Sequence, residues 1–93
     1  MGEKIVPKNL LEDIIDYKLD EMMETANICK CDYCRADVWA YALNHLEPKY
    51  VVSLEGDVHT RYAILSDQVK SDITFAIVKA IGIVANNPHH PAE

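Results

Sequence analysis

The sequence predicts an all-α, mainly helical domain of about three or four helices with one short extended hairpin. Apolar residues recur at helical spacing in three stretches, which are separated by a cysteine-rich loop and by a segment that contains Pro48 and Gly56. Hydrophobic residues make up 49% of the chain and charged residues 26%, which is typical of a folded domain and argues against disorder. We expect residues 1–93 to form one domain, with flexible tails at 1–8 and 87–93.

The first helix is predicted from Asn9 to about Thr25. Its apolar residues share one helical face, and acidic residues lie between them. The apolar positions are Leu10, Leu11, Ile14, Ile15, Leu19, Met22 and Met23. Asn9 is expected to cap this helix, because its side chain can accept a hydrogen bond from a backbone N–H of the first turn.

The second helix follows the cysteine-rich loop. Its apolar residues repeat at helical spacing from Arg35 onward, until Pro48 forbids continuation. Asp32, or a residue beside it, is the expected cap. Asn44 lies just before the helix end, and we expect it to bond the backbone of Tyr50–Ser53 and so fix the turn at Pro48.

Two short extended segments are predicted after this turn, at Tyr50–Ser53 and Val58–Thr60. Residues that favour strands dominate both segments, and Gly56 lies between them as a turn residue. The sequence therefore predicts a small hairpin at this place.

A long last helix is predicted from about Arg61 to Asn86, and a break near Ser66 fits the pattern. It is almost wholly apolar from Ile73 to Ala85, and such a helix must be covered on most sides. Two other helices in a small domain can cover one stripe of it. We therefore expect a homodimer in which the outer face of this helix, with Phe75 and Val78, packs against a second copy.

The charge balance excludes some classes of partner. A formal net charge of -6 argues against general binding to DNA, RNA or an anionic membrane, although a small anionic ligand remains compatible. No stretch reaches the roughly 18 apolar residues that a membrane span requires. The first residues lack a basic region followed by an apolar run, so a cytoplasmic protein is expected.

Three cysteines, Cys29, Cys31 and Cys34, lie within six residues and are the only ones in the chain. An odd, clustered set is unsuited to disulfide pairing in a reducing compartment. Thiolates at C-x-C-x-x-C spacing can converge on one soft cation, so we predict a structural zinc site. The alternative is a set of free or redox-active thiols, with Cys31 and Cys34 as a C-x-x-C pair.

Three ligands in one loop do not complete a tetrahedral site, so a fourth is needed. The candidates are His89 or His90, His59, a group from a neighbouring subunit, and water. An enzyme is not expected, since soft ligands in a small domain resemble a closed structural site and the sequence has no phosphate loop or serine nucleophile motif.

A small anionic ligand would need cationic groups and rings on which a base can stack. Arg35 is the best single candidate, because it follows the cysteine loop at the start of a helix, where backbone amides also attract phosphate. The cationic candidates are Lys30, Arg35, Lys49, Arg61 and Lys70, and the candidate stacking rings are Tyr33, Tyr50 and Tyr62. Of these we favour Lys30, Arg35, Lys49, Tyr50 and Arg61.

The stretch from Cys29 to Ser53 resembles the late competence development protein ComFB family. The features that carry this resemblance are the cysteine cluster, an acid three residues after its last cysteine, and the sequence Ala-Leu-Asn-His-Leu-Glu-Pro-Lys-Tyr-Val from Ala42 to Val51. The acid is Asp37, to which the resemblance assigns structural support.

The resemblance implies a small, helical, dimeric, zinc-binding bacterial protein without demonstrated catalysis, in a family first linked to competence and motility operons. Some members bind cyclic dinucleotides such as cyclic di-GMP, so a receptor for cyclic di-GMP or cyclic di-AMP is one expectation. A zinc-stabilised module that binds a protein partner, without a nucleotide, is the other. Bacillus-type members carry a further cysteine after the last helix, and this chain has His89 and His90 at the comparable place.

Overall fold

The computed structural model describes residues 5–86 and is mainly helical, as predicted. The elements are, in chain order, β1 (Lys8–Asn9), α1 (Leu10–Thr25), α2 (Asp32–Asn44), β2 (Tyr50–Val51), α3 (Val58–Ala63) and α4 (Asp67–Asn86). Of the expected flexible tails, residues 1–4 and 87–93 lie outside the described residues, whereas residues 5–8 are described and Lys8 belongs to β1.

Asn9 begins α1 and also ties it to a distant part of the chain. Its Oδ1 accepts hydrogen bonds from the backbone N–H of Leu11 at 3.1 Å and of Lys49 at 2.9 Å. The predicted cap is therefore confirmed. The second bond holds the turn after α2, the role that the sequence suggested for Asn44, which is exposed in the structure.

A short pair of strands is present, but its partners differ from the prediction. β2 pairs antiparallel with β1, with Lys8 opposite Val51 and Asn9 opposite Tyr50. Val58–Thr60, which we expected to form the second strand, begins α3 instead, since Asp57 caps that helix by accepting from the Thr60 N–H at 2.8 Å.

The last helical region is broken as the pattern suggested. α3 ends at Ala63, α4 begins at Asp67, and the Ser66 hydroxyl accepts from the Val69 N–H at 3.2 Å. This cap satisfies one of the free N–H groups at the start of α4.

The core lies among α1, α2 and α4. Its fully buried members come from all three helices, and the aliphatic side chains of α1 supply the largest share. They include Leu11, Ile14, Ile15, Leu19, Val38, Ala42, Ile73, Ile77 and Ala80.

Helices α2 and α4 pack against each other. Tyr41 and His45 at the end of α2 lie beside the first half of α4, and burial continues along α4 as far as Val84.

Candidate functional site

The three cysteines converge where α1 gives way to α2. Their Sγ atoms all lie within 4.8 Å of one another. Cys34 is buried, Cys31 is half-buried and Cys29 is exposed. Cys31, not Asp32, is the cap of α2, and its Sγ accepts from the Cys34 N–H at 3.4 Å.

This donor set fits a soft metal ion. A tetrahedral zinc ion with Zn–S bonds of about 2.3 Å would hold its sulfurs about 3.8 Å apart. In the structure the three sulfurs are at most 4.8 Å apart. Burial, followed by hydrogen bonds with Cys31 and Cys29, raises the pKa of the Cys34 thiol to about 11. A metal binding here therefore displaces a proton from Cys34.

Lys30 lies between Cys29 and Cys31, and its side chain bonds the backbone that precedes them. Its Nζ donates to the carbonyl of Ala26 at 2.9 Å and to that of Ile28 at 3.4 Å. Ala26 is the residue that caps the end of α1, where carbonyl groups lack partners within the helix. The ammonium group thus stabilises the cysteine loop.

Arg35 connects the start of α2 to α1. Its Nε donates to Asp20 at 2.8 Å, and one terminal nitrogen lies 3.5 Å from Asp16. The hydrogen bond with Asp20, together with the charges of both acids, raises the pKa of Arg35. Asp37, three residues after Cys34 on α2, is half-buried.

Of the histidines proposed as the fourth ligand, the structure describes His59. His59 lies on α3 with its ring against that of Tyr17, at a centroid distance of 4.5 Å, and it is outside the three-cysteine group found among residues 5–86. His89 and His90 lie outside the described residues. His45, which the sequence placed on the surface, is exposed, and one of its ring nitrogens lies 2.8 Å from the carbonyl of Tyr41.

The residues proposed for an anionic ligand do not form one group. Lys30 and Arg35 lie beside the cysteine loop, Lys49 and Tyr50 lie at the strand pair, and Arg61 contacts Asp13 at 3.3 Å. Pro48 is exposed in the turn before Lys49.

A cavity of about 360 Å³ brings Lys49 together with groups that the sequence analysis did not assign to a ligand site. It lies between the end of α2 and the first half of α4, with Leu11, Leu46, Val69 and Ala76 among its apolar lining. Its aromatic and charged lining residues are Tyr41, His45, Glu47, Lys49, Asp72, Phe75 and Lys79. The rings of Tyr41 and His45 stack at 4.2 Å, and their spacing of four residues on one helix is the sequence signal for this contact.

None of the described helices is both long enough and apolar enough to cross a membrane. The exposed fraction of Phe75 is 70% and that of Val78 is 54%, so α4 presents apolar side chains on its outer face.

The fold and the cysteine cluster define a small, mainly helical protein with a candidate soft-metal centre at a helix N-terminus. Residues 8–88 match the family model described as late competence development protein ComFB, and the chain belongs to this family. The resemblance seen in the sequence is thereby confirmed.

Two relatives come from Bacillus subtilis. The chain is 25% identical over 81 residues to competence protein ComFB of strain 168, an alignment that covers 86% of this chain and 83% of that protein. It also superimposes on the solved structure of the late competence protein ComFB from this organism with a TM-score of 0.76, over 95% of this chain and 100% of that one. Sequence identity to that structure is 22%, so the likeness shows the fold.

Proposed function

We propose that this protein is a non-enzymatic regulatory module in which a structural zinc ion joins α1 to α2. Cys29, Cys31 and Cys34 would hold the ion, and its bonds would fix the loop that the two helices share. The convergence of all three sulfurs to within 4.8 Å is the observation that carries this proposal. The same closed, soft set of ligands supports a structural role over catalysis, which needs an open coordination position.

The fourth ligand is proposed to be His89 or His90. His89 follows Asn86, the last residue of α4, by only three positions in the sequence. An imidazole completes a tetrahedral site of three thiolates as in other structural zinc centres.

Elemental analysis of tag-free protein tests the site. About one zinc ion per chain is expected, and less than about half an ion per chain would contradict the proposal. Replacing both His89 and His90 by alanine should weaken zinc retention against a chelator, while the variant His45→Ala serves as a control because His45 lies in the aromatic cavity. Equal retention in the two variants would exclude the tail histidines.

A homodimer is part of this proposal. The exposed apolar side chains Phe75 and Val78 support it, as does Gly82, beside which a Cβ atom would meet nothing within 4 Å in this chain. A second copy of α4 could approach closely at such a position.

A cyclic dinucleotide, cyclic di-GMP or cyclic di-AMP, is the second candidate function. The cavity beside Tyr41 and His45 supports it, because stacked rings suit a base and the ammonium groups of Lys49 and Lys79 suit a phosphate. Its volume of about 360 Å³ lies in the range of small-molecule sites.

Calorimetric titration with each dinucleotide tests this candidate. We expect heat of binding with one of them, together with a higher thermal midpoint. Lys79→Ala should weaken binding, whereas Lys8→Ala, which removes an exposed lysine outside the cavity, should not. The absence of both heat and thermal shift would leave a zinc-stabilised module that binds a protein partner.

A further inference from the structure

We propose that Cys31 and Cys34 form a reversible disulfide on exposure to hydrogen peroxide and that the loop then releases its metal. The part that concerns metal release rests on the proposed zinc site, whereas formation of the disulfide requires only the fold. The protein would then respond to oxidants as well as being stabilised by zinc.

The geometry of α2 brings this pair together. Cys31 is the cap of the helix and Cys34 lies in its first turn, with the Cys31 sulfur 3.4 Å from the Cys34 backbone nitrogen. A C-x-x-C pair at a helix N-terminus is the arrangement used by thiol–disulfide oxidoreductases. The helix thus holds the two sulfurs on neighbouring positions of one turn, within 4.8 Å.

Cys31 and Cys34 differ in solvent exposure, and we therefore expect their sulfurs to have different roles in the oxidation. Cys31 is half-buried, so an oxidant can reach it, whereas Cys34 is buried and shielded from direct attack. An accessible sulfur that is oxidised first, next to a second cysteine that resolves it, is the arrangement of a redox sensor. Cys29 is exposed and lies in the loop before α2.

The chemistry needs one peroxide molecule for each disulfide. The Cys31 sulfur attacks one peroxide oxygen, the O–O bond breaks, and the second oxygen leaves as water while Cys31 becomes a sulfenic acid. The Cys34 sulfur then attacks the sulfenic sulfur, the S–S bond forms, the S–O bond breaks and a second water leaves. The two sulfurs lose two electrons, peroxide gains them, and the protons come from the thiols or, for metal-bound thiolates, from solvent.

Loss of the metal follows from the ligand count. A disulfide removes two of the three sulfurs that converge in the loop, and a thiolate is the form of sulfur that binds zinc. A single remaining cysteine with one histidine does not make a structural zinc site. A thiol reductant followed by zinc should restore the original state.

Tryptic digestion can distinguish a disulfide between Cys31 and Cys34 from one that includes Cys29. Trypsin cleaves after Lys30 and Arg35, which separates Cys29 from a five-residue peptide that contains both Cys31 and Cys34. Zinc-loaded and metal-free full-length protein are each treated with hydrogen peroxide, alkylated and digested. Zinc release is followed in parallel with a colorimetric chelator.

We expect the peptide 31–35 to appear with an internal disulfide and with Cys29 alkylated, and we expect zinc release to follow the same time course. A disulfide that includes Cys29, a link between chains, or oxidation without any disulfide would overturn the proposal. Zinc-loaded protein that forms the disulfide but retains its metal would overturn the part that concerns metal release.

Two variants separate this proposal from that of the zinc site. Metal-free Cys29→Ser protein should still form the internal disulfide, whereas Cys34→Ser should stop at a sulfenic or more oxidised Cys31. If wild-type protein binds no zinc yet forms the 31–35 disulfide, the zinc site fails and the redox pair stands. If it binds zinc and forms no such disulfide, the redox pair fails alone.

Discussion

At the scale of single residues, Asn9 shows which contacts a local sequence pattern can predict and which it cannot. Its bond to the Leu11 N–H was predictable, because a helix cap and its first turn are neighbours in sequence. Its bond to the Lys49 N–H spans 40 positions, and no local pattern encodes such a contact. The spacing of the cysteines likewise predicted that they converge, but the cap of α2 proved to be Cys31 because its sulfur accepts the Cys34 N–H.

Asn9→Ala is expected to lower the free energy of unfolding by about 2 kcal/mol, because two backbone N–H groups lose their acceptor. Asn9→Asp retains an oxygen acceptor at the same position and should lose much less. Urea denaturation at a fixed protein concentration measures both. Equal stability of the alanine and aspartate variants would show that the two bonds contribute little.

Asp57 makes the stability of α3 depend on pH. The hydrogen bond from the Thr60 backbone N–H lowers the pKa of its carboxyl below the ordinary value of 3.8. The charged form is therefore favoured in the folded chain, so its contribution is fully present above the unfolded pKa and is lost as pH falls through the lower folded pKa. Asp57→Asn keeps an acceptor that does not titrate.

We therefore expect the thermal midpoint of Asp57→Asn, taken relative to wild type, to rise as pH falls from about 5 to about 2. Thermal scans of both proteins at matched pH values measure this difference. A constant difference across the range would remove Asp57 as the cause.

At the scale of elements, the start of α3 is the helical segment that the sequence did not predict. Val58–Thr60 consists of residues that favour strands, and that preference spans only about 1 kcal/mol. The Asp57 cap and packing of the partly buried Val58 and Tyr62 against the core outweigh it. The long amphipathic stretches were predicted because α1 and α4 repeat their apolar residues over several turns.

Helix α4 has a buried face and an exposed face. Substitutions at two adjacent residues, one on each face, test whether the two faces differ in their contribution to stability. Ile77 is 0% exposed and Val78 is 54% exposed. Ile77→Ala should lower the free energy of unfolding by about 2–5 kcal/mol at every protein concentration, because it leaves a cavity in the core. Val78→Ala should cost less, and its effect should vary with protein concentration if a second copy covers this face.

Denaturation at two protein concentrations checks these expectations. Similar losses from the two variants would mean that the outer face of α4 is not distinct from its core face.

At the scale of the whole molecule, the three helices form a small core, and the apolar side chains of α4 continue onto the surface. The sequence predicted the family, the helical class and the group of three cysteines. It did not predict the cavity between α2 and α4, since that space exists only once two distant segments pack together.

Phe75→Glu is expected to give a folded monomer, because a charge on the outer face of α4 cannot be buried against a second copy. Val52→Glu is the matched control, since Val52 is also 70% exposed but lies next to β2. Light scattering should give a dimer mass for wild type and for the control, and a monomer mass for Phe75→Glu. A monomer mass for wild type would rule out the dimer.

We expect the loop between α1 and α2 to hold zinc through its three cysteines. X-ray absorption at the zinc edge of tag-free protein measures the ligands directly. We expect a shell of about three sulfurs at about 2.3 Å with about one nitrogen at about 2.0–2.1 Å. A shell of nitrogen and oxygen alone, or no bound zinc, would contradict the claim.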